Sequence, residues 1–175
     1  MPERQGGRRA MPRGLTFGVF ALTLLAATAA QAAPQRQPET GVPAVVIEAP
    51  DGWTTQRPSA VTLNAFNAGR NGVISITIET TTENPDLTLF RDNVFRAANC
   101  AALPRAETAQ VGERTGQAFY CQPSQTVLAP VRIVLIRLDP THVLSVSQTY
   151  RLDASGADVQ GLEQTVATLR YEGVR

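Results

Sequence analysis

Alternating hydrophobic and polar residues predict several strands. In GVISITIETT (72–81), three isoleucines at every second position alternate with serine, threonine and glutamate, which is typical of a strand with one buried face. The segment SAVTLNAFN (59–67) precedes it, and Asn71-Gly72 is a strong tight-turn signal, so the two segments should form a hairpin. VRIVLIRL (131–138) is apolar on both faces. A strand of this kind is covered on both sides and lies inside a sheet.

Apolar residues at helical spacing predict a first helix after these strands. It should begin near Asn84-Pro85-Asp86, because Asn caps helices, Pro suits the first turn and Asp favours the N-terminal dipole. An apolar face runs from Leu87 to Ala101, and Pro104 ends the pattern. This prediction places Cys100 at the end of the helix.

Further strands and a closing helix follow. ETAQVGER (107–114) and QAFYCQP (117–123) should form a hairpin that turns at Thr115-Gly116, and HVLSVSQTY (142–150) should be a strand. Ser155 and Asp158 resemble a capping box before an apolar stripe from Val159 to Leu169. The order of strands, helix, four strands and helix predicts an α+β domain with a mostly antiparallel sheet and helices packed on it.

The N-terminal residues have the pattern of a secretory signal peptide. Four arginines precede an uncharged apolar run, and Ala30-Gln31-Ala32 resembles a cleavage site. We therefore predict a signal peptide over 1–32, a flexible proline-rich tether over 33–43 and a single α+β domain over 44–175. This organisation indicates a periplasmic or secreted protein.

Charge excludes some classes of function. The chain has 16 arginines, no lysine and 15 acidic residues. The predicted signal peptide contains four of the arginines and one acidic residue, which leaves 12 basic and 14 acidic residues and a net charge of −2. A nucleic-acid-binding domain would have a basic excess. The absence of lysine excludes Schiff-base chemistry by a lysine side chain.

The two cysteines, Cys100 and Cys121, decide how much catalytic chemistry is available. In an exported protein, an even pair most simply forms a disulfide. The alternative is a thiolate activated by His142, the single histidine. One histidine and two cysteines cannot easily supply the four ligands of a structural zinc site, so we predict no metal and no cofactor.

Three other side chains are candidates for a ligand or partner surface. Trp53 follows a turn and could stack on a ligand, although a single tryptophan at this place also suits the edge of a core. Arg132 and Arg137 flank the apolar strand and could bind an anion, although charged residues at strand ends are commonly only solvated.

The segments PDGW, the Asn-Gly hairpin, RTGQAFYC, VRIVLIRL, HVLSVSQTY and LEQTVATLRYE occur in an order that resembles the PsbP-like superfamily. The superfamily includes extrinsic photosystem proteins, a Ran-binding import factor and DcrB-type bacterial envelope proteins. The resemblance spans about 44–172. It implies an α/β/α sandwich around an antiparallel sheet and an accessory or binding role, and it transfers no ligand residues.

Together these patterns predict an exported, non-catalytic binding or accessory protein of the cell envelope. Its partner would be a protein or a small molecule, with no nucleic acid and no membrane span in the mature chain. The alternative is a small periplasmic hydrolase whose site matches no known motif.

Overall fold

The computed structural model describes residues 33–41 and 43–173 of the 175-residue chain. The predicted signal peptide lies outside the described residues. The strands are β1 Gln35–Gln37, β2 Ala44–Ile47, β3 Thr54–Ser59, β4 Thr62–Phe66, β5 Gly72–Thr80, β6 Cys100–Val111, β7 Arg114–Pro123, β8 Val131–Asp139, β9 His142–Tyr150 and β10 Arg170–Glu172. The helices are α1 Leu87–Ala97 and α2 Gly156–Ala167.

The strands form two antiparallel sheets. The larger sheet has seven strands in the order β3-β4-β5-β9-β8-β7-β6, and the smaller has three in the order β1-β2-β10. The pairings between these strands are all antiparallel. The prediction of a mostly antiparallel sheet is confirmed. Among the described residues, neither helix is long and apolar enough to cross a membrane.

The two faces of the large sheet carry different layers. On one face, Leu162 and Val166 of α2 and Ile47 of β2 belong to the larger hydrophobic cluster. On the other face, Phe95 of α1 packs in a smaller cluster with side chains of β7 and β8, such as Phe119. One helix therefore lies on each face, but the small sheet shares the face of α2. The predicted α/β/α sandwich is realised only in part.

Several predicted elements are confirmed. The β4–β5 hairpin turns where the Asn-Gly signal lies, and Asn67 Oδ1 accepts hydrogen bonds from the backbone N–H groups of Asn71 (3.1 Å) and Gly72 (3.0 Å). Strand β8 is buried on both faces and lies between β9 and β7. The capping box of α2 forms between Ser155 and Asp158.

The first helix is shorter than predicted. Asp86 caps it by accepting a hydrogen bond from the backbone N–H of Thr88 at 2.8 Å. The helix ends at Ala97, because Asn99 adopts a left-handed backbone conformation with φ of 49°, which asparagine tolerates at the end of a helix. The prediction that Cys100 ends the helix is therefore wrong. Cys100 is the first residue of β6.

The hairpin between β6 and β7 turns three residues before Thr115, at Gly112, whose φ is +56°. Gly116 lies inside β7, where an added Cβ would lie 2.4 Å from the carbonyl oxygen of Leu135. This glycine permits close packing of the neighbouring strand and does not make the turn. The predicted hairpin therefore exists, but its turn is at Gly112 and not at Thr115-Gly116.

Residues 35–37 are not part of a free tether. They form β1, which pairs with β2 in register from Gln35 with Ile47 to Gln37 with Val45. Gln37 is fully buried, and its Nε2 donates to the carbonyl oxygen of Ala60 at 2.8 Å. A three-residue polar strand has no hydrophobic alternation, so only its pairing with β2 reveals it.

Candidate functional site

A cleft of about 470 Å³ lies between α2 and the large sheet. We call it the α2 cleft. Its floor comes from strands β6, β7, β8 and β9, and α2 forms its wall. The lining residues are Arg105, Glu107, Gln110, Tyr120, Pro130, Arg132, Gln148, Tyr150, Val159, Leu162, Glu163, Val166 and Ala167. The volume lies within the range of small-molecule sites.

Arg132 and Gln148 form the centre of the floor. They are directly opposite each other on β8 and β9, and Arg132 Nη1 donates to Gln148 Oε1 at 3.0 Å. Arginine offers only donors, so the amide oxygen must face it and the Nε2 hydrogens must point elsewhere. Gln148 is only 5% exposed, and among the described residues its Nε2 has no hydrogen-bond partner. In the described part of the chain, the fully buried side-chain polar atom without a partner is Asn64 Oδ1, so the Nε2 donors of Gln148 reach solvent in the cleft and are available to a ligand.

Glu107 connects the neighbouring charged groups. Its Oε1 accepts a hydrogen bond from the Tyr120 phenol at 2.6 Å and lies 3.5 Å from Arg132 Nε. Its Oε2 lies 3.5 Å from Arg105 Nη2. The Tyr120 hydrogen bond, with help from the charges of the two arginines, lowers the pKa of Glu107 although desolvation opposes this. Glu107 therefore remains charged at neutral pH and holds both arginines on the floor.

Tyr120 is held from two sides. The guanidinium of Arg105 lies over its ring, 4.1 Å from the centroid, which is within cation–π range. Desolvation, followed by the hydrogen bond to Glu107, raises the pKa of the Tyr120 phenol. The phenol therefore stays protonated at neutral pH and acts as a donor to Glu107. The floor is a preorganised polar network rather than a set of independent side chains.

The wall of the cleft is fixed by the N-terminus of α2. Ser155 and Asp158 form the reciprocal capping box. Asp158 also accepts hydrogen bonds from the side-chain amides of Asn67 and Asn71, each at 2.9 Å. Asn67 and Asn71 belong to the turn between β4 and β5, so the position of α2 over the sheet depends on that hairpin.

A second cavity, of about 420 Å³, lies on the opposite face of the large sheet beside α1. Its floor carries hydroxyl groups of β5 and β9, from Ser75, Thr77, Ser145, Ser147 and Thr149. The register pairs Ser75 with Ser147 and Thr77 with Ser145. Ser, Thr and Glu alternate with isoleucine in β5 because the polar residues line this cavity, whereas the isoleucines face the larger hydrophobic cluster on the other side of the sheet.

The predicted surface residues do not come together. Arg132 and Arg137 are five residues apart on β8, so they point to opposite faces of the sheet. Arg137 Nη2 donates to the carbonyl oxygen of Pro85, just before α1, at 2.5 Å. Trp53 packs against the larger hydrophobic cluster, close to Gly161 of α2. Of the three residues, only Arg132 lines the α2 cleft. A role for Trp53 or Arg137 in contacting a partner stays a prediction.

The two cysteines are joined. Cys100 and Cys121 form a disulfide with a Cα–Cα distance of 5.6 Å. Because Cys121 pairs in register with Ala102, the bond links β6 and β7 diagonally and does not tie the end of a helix to the sheet. Neither sulfur is a free thiol in this structure, so the alternative of a Cys100 thiolate activated by His142 has no nucleophile.

His142 has its own partner. Its Nδ1 lies 2.9 Å from both carboxylate oxygens of Asp139, and Asp139 Oδ1 accepts a hydrogen bond from the Thr141 backbone N–H at 2.8 Å. Desolvation would raise the pKa of Asp139, but the hydrogen bonds from Thr141 and His142 together outweigh it and lower the pKa. These contacts close the β8–β9 turn. Within residues 33–41 and 43–173, no three His, Cys, Asp or Glu side chains are close enough to hold a metal ion.

No family model and no curated protein sequence matches the chain. The fold has clear structural relatives. LpqN, a protein involved in cell envelope biogenesis of Mycobacterium tuberculosis, superposes with a TM-score of 0.56 at 12% identity, over 79% of this chain and 89% of LpqN. CyanoP, the cyanobacterial PsbP of Synechocystis sp. PCC 6803, superposes with a TM-score of 0.55 at 14% identity, over 79% of this chain and 92% of CyanoP. The chain has a PsbP-like fold.

A third similar structure is a chain from Bacteroides thetaiotaomicron, with a TM-score of 0.47 and 12% identity. The match covers 73% of this chain but only 45% of the Bacteroides chain. The PsbP-like fold itself was predicted from the order of segments, and LpqN and CyanoP confirm it.

Sequence reasoning missed most of the α2 cleft in this PsbP-like fold. Glu107, Tyr120 and Gln148 lie on three different strands and share no motif. A usable signal was the polar residue at an inward position of a buried strand, because Gln148 lies on the same face of β9 as Val146. A buried amide at such a position needs a partner, and Arg132 provides it.

Proposed function

We propose that the protein is exported and acts in the cell envelope as a non-catalytic binding or accessory protein whose ligand site is the α2 cleft. The N-terminal signal-peptide pattern supports export. The Cys100–Cys121 disulfide supports an oxidising compartment, because disulfides persist there and are rare in the cytosol. The fold that it shares with LpqN, a protein involved in cell envelope biogenesis, agrees with an envelope role.

The observation that carries the binding proposal is the pair of Arg132 and Gln148 at the floor of the cleft. The protein keeps an arginine and an almost fully buried glutamine in contact, where two apolar side chains would pack without any desolvation cost. Polar groups at the base of a concave site are a feature of ligand pockets, in which a few polar groups fix the orientation of the ligand.

A ligand screen on a matched pair of variants tests the site. Thermal unfolding of the purified mature protein is measured against a library of small metabolites, for the wild type, Arg132→Gln and Arg137→Gln. Arg137 is the control because it lies on the same strand but on the opposite face. We expect at least one class of compound to raise the Tm of the wild type and of Arg137→Gln, but not that of Arg132→Gln. No hit, or hits that stabilise all three proteins equally, would contradict a ligand site at the cleft.

Export is tested separately. We expect the protein recovered from the envelope fraction to begin at Ala33 when its N-terminus is sequenced. An uncleaved chain that fractionates with cytoplasmic markers would refute the proposed location. In that case the disulfide would also require another explanation.

A further inference from the structure

We infer that the α2 cleft recognises its ligand through an anionic group, a carboxylate or a phosphate monoester, bound by Arg132 and Gln148. The inference rests on the proposed function, because it names the chemistry of a ligand for that same site. It follows from the hydrogen-bond donors left over on the floor, from the balance of charge around them and from the rigidity of the network.

The unused polar groups at the centre of the floor are donors. Arg132 has five N–H donors and three neighbours on the floor: Nη1 donates to Gln148, Nε is directed toward Glu107, and the guanidinium also hydrogen-bonds the Tyr120 phenol. Donors of the guanidinium are therefore left over for a ligand. Among the described residues, the Nε2 of Gln148 is also without a partner, and so is the phenol of Tyr150, which lines the same cleft. A ligand that satisfies the arginine and amide donors must present acceptor atoms, whereas the Tyr150 phenol can donate or accept. Carboxylates and phosphates present such acceptors and gain charge-assisted bonds to arginine.

The charge around these donors also favours an anion. Arg105 and Arg132 share one carboxylate, Glu107, which lies 3.5 Å from a nitrogen of each. The group therefore keeps one uncompensated positive charge. Glu163, on the α2 wall, is the other carboxylate that lines the cleft, and it makes no ion pair within the described residues. With Glu163 included, the two arginines and two carboxylates of the lining sum to zero charge, so the positive excess is local to the floor, around Arg132.

The network is ordered before a ligand arrives. Glu107 accepts from Tyr120 at 2.6 Å, Arg105 lies over the ring of Tyr120, and the buried Gln148 accepts from Arg132, its partner on the neighbouring strand. Because these contacts restrict the side chains in advance, less conformational entropy is lost when an anion binds. Glu107 is here a positioning residue: it holds Arg132 in place but also competes for its charge.

The test compares four probes that share one ring and differ in the group attached to it: benzoate, phenyl phosphate, benzyl alcohol and benzylammonium. Each is titrated into the ¹⁵N-labelled mature protein at neutral pH, and the side-chain signals of Arg132 Nε and Gln148 Nε2 are followed by NMR. We expect benzoate, phenyl phosphate or both to shift these signals with saturation, and benzyl alcohol and benzylammonium to leave them unchanged. The two anions separate a carboxylate preference from a phosphate preference.

Three variants should differ in their effect on the affinity for the anion. Arg132→Gln should weaken binding of the anion by about tenfold to a hundredfold, the contribution of charge-assisted hydrogen bonds. Glu107→Gln can keep the acceptor for Tyr120 but removes the competing charge, so it should strengthen binding by about two- to fivefold. Arg137→Gln should leave the affinity for the anion unchanged, because the hydrogen bond to Pro85 that it removes lies on the opposite face of the sheet. A simple loss of folding in Arg132→Gln would be recognised from its spectrum and could not produce the gain in Glu107→Gln.

Two outcomes would overturn the inference. If benzylammonium or benzyl alcohol moves the two signals and the anions do not, the cleft binds ligands but does not select an anion, and the proposed function survives. If no probe moves them while the Arg132-dependent compounds from the metabolite screen carry neither a carboxylate nor a phosphate, the anion assignment is again wrong and the binding site is retained. Failure of that screen is the separate result that removes the proposed function.

Discussion

Reducing the Cys100–Cys121 disulfide should lower the free energy of unfolding by about 3 kcal/mol. The cysteines are 21 residues apart, and a bond that closes a loop of this length removes about 3 kcal/mol of chain entropy from the unfolded state. In the folded state little should change, because Cys121 is fully buried beside Phe119 and the strands β6 and β7 remain paired. Since domains are commonly stable by about 5–15 kcal/mol, a loss of this size is easily measured.

The assay is guanidinium chloride denaturation followed by the fluorescence of Trp53, the only tryptophan. The oxidised protein is compared with the same protein in a phosphine reductant. Cys100→Ala/Cys121→Ala, with and without reductant, controls for effects of the reductant itself. We expect the reduced protein to have a lower midpoint and a larger m-value, because its unfolded state is more expanded. A difference below about 1 kcal/mol would refute the reasoning, since it would mean that the unfolded chain keeps this loop closed without the bond.

Other consequences concern α2. Gly72→Ala should cost about 1–2 kcal/mol in urea denaturation, because its new Cβ would lie 2.7 Å from Cδ1 of the buried Leu162; an unchanged midpoint would show that α2 shifts freely. Gly161→Ala, whose Cβ meets nothing closer than 3.8 Å, should instead raise stability by up to about 1 kcal/mol because it lies inside a helix, and a loss would contradict the packing described. The hydrogen bond from Ser155, then that from Asn71, lowers the pKa of Asp158. As the pH falls, Asp158 therefore becomes protonated in the unfolded chain before it does so in the folded protein. The stabilisation is complete above the unfolded pKa of about 3.9 and is lost as the pH drops through the lower folded pKa. The free energy of unfolding, measured from pH 6 to pH 3, should depend less on pH in Asp158→Asn than in the wild type. An identical pH dependence in the two proteins would argue against the capping contact.

The elements predicted correctly are those with a strong local signal. Three elements have patterns that depend only on neighbours in the chain: the β4–β5 hairpin, strand β8, which is apolar on both faces, and helix α2 with its capping box. The errors occurred where local signals competed. Alanines after Val94 continue a helical pattern as well as they begin a strand. The helix ends where Asn99 adopts a left-handed conformation, immediately before the pairing of β6 with β7 begins at Cys100. The short strand β1 has no pattern of its own.

The cleft was only partly predictable. The sequence makes Arg132 a candidate because it flanks an apolar strand, but the same reason applies to Arg137, which lies on the other face. The parity of their spacing already separated them, since residues five apart in a strand point to opposite sides. Which face would be open, and which would meet α1, depends on where the helices pack on the sheet.

The sequence by itself determined the alternation and capping of the main elements, and it contained the order of segments that indicated a PsbP-like fold. These properties arise from the periods of strands and helices and from side chains that bond to their own backbone, so they can be recognised locally. Only the tertiary structure decided that Glu107, Tyr120, Arg132 and Gln148 meet, because they lie on separate strands and are joined by register. The same register brought Cys100 and Cys121 together across two neighbouring strands. The chemistry of the site is therefore a property of strand pairing, which residue spacing along the chain does not reveal.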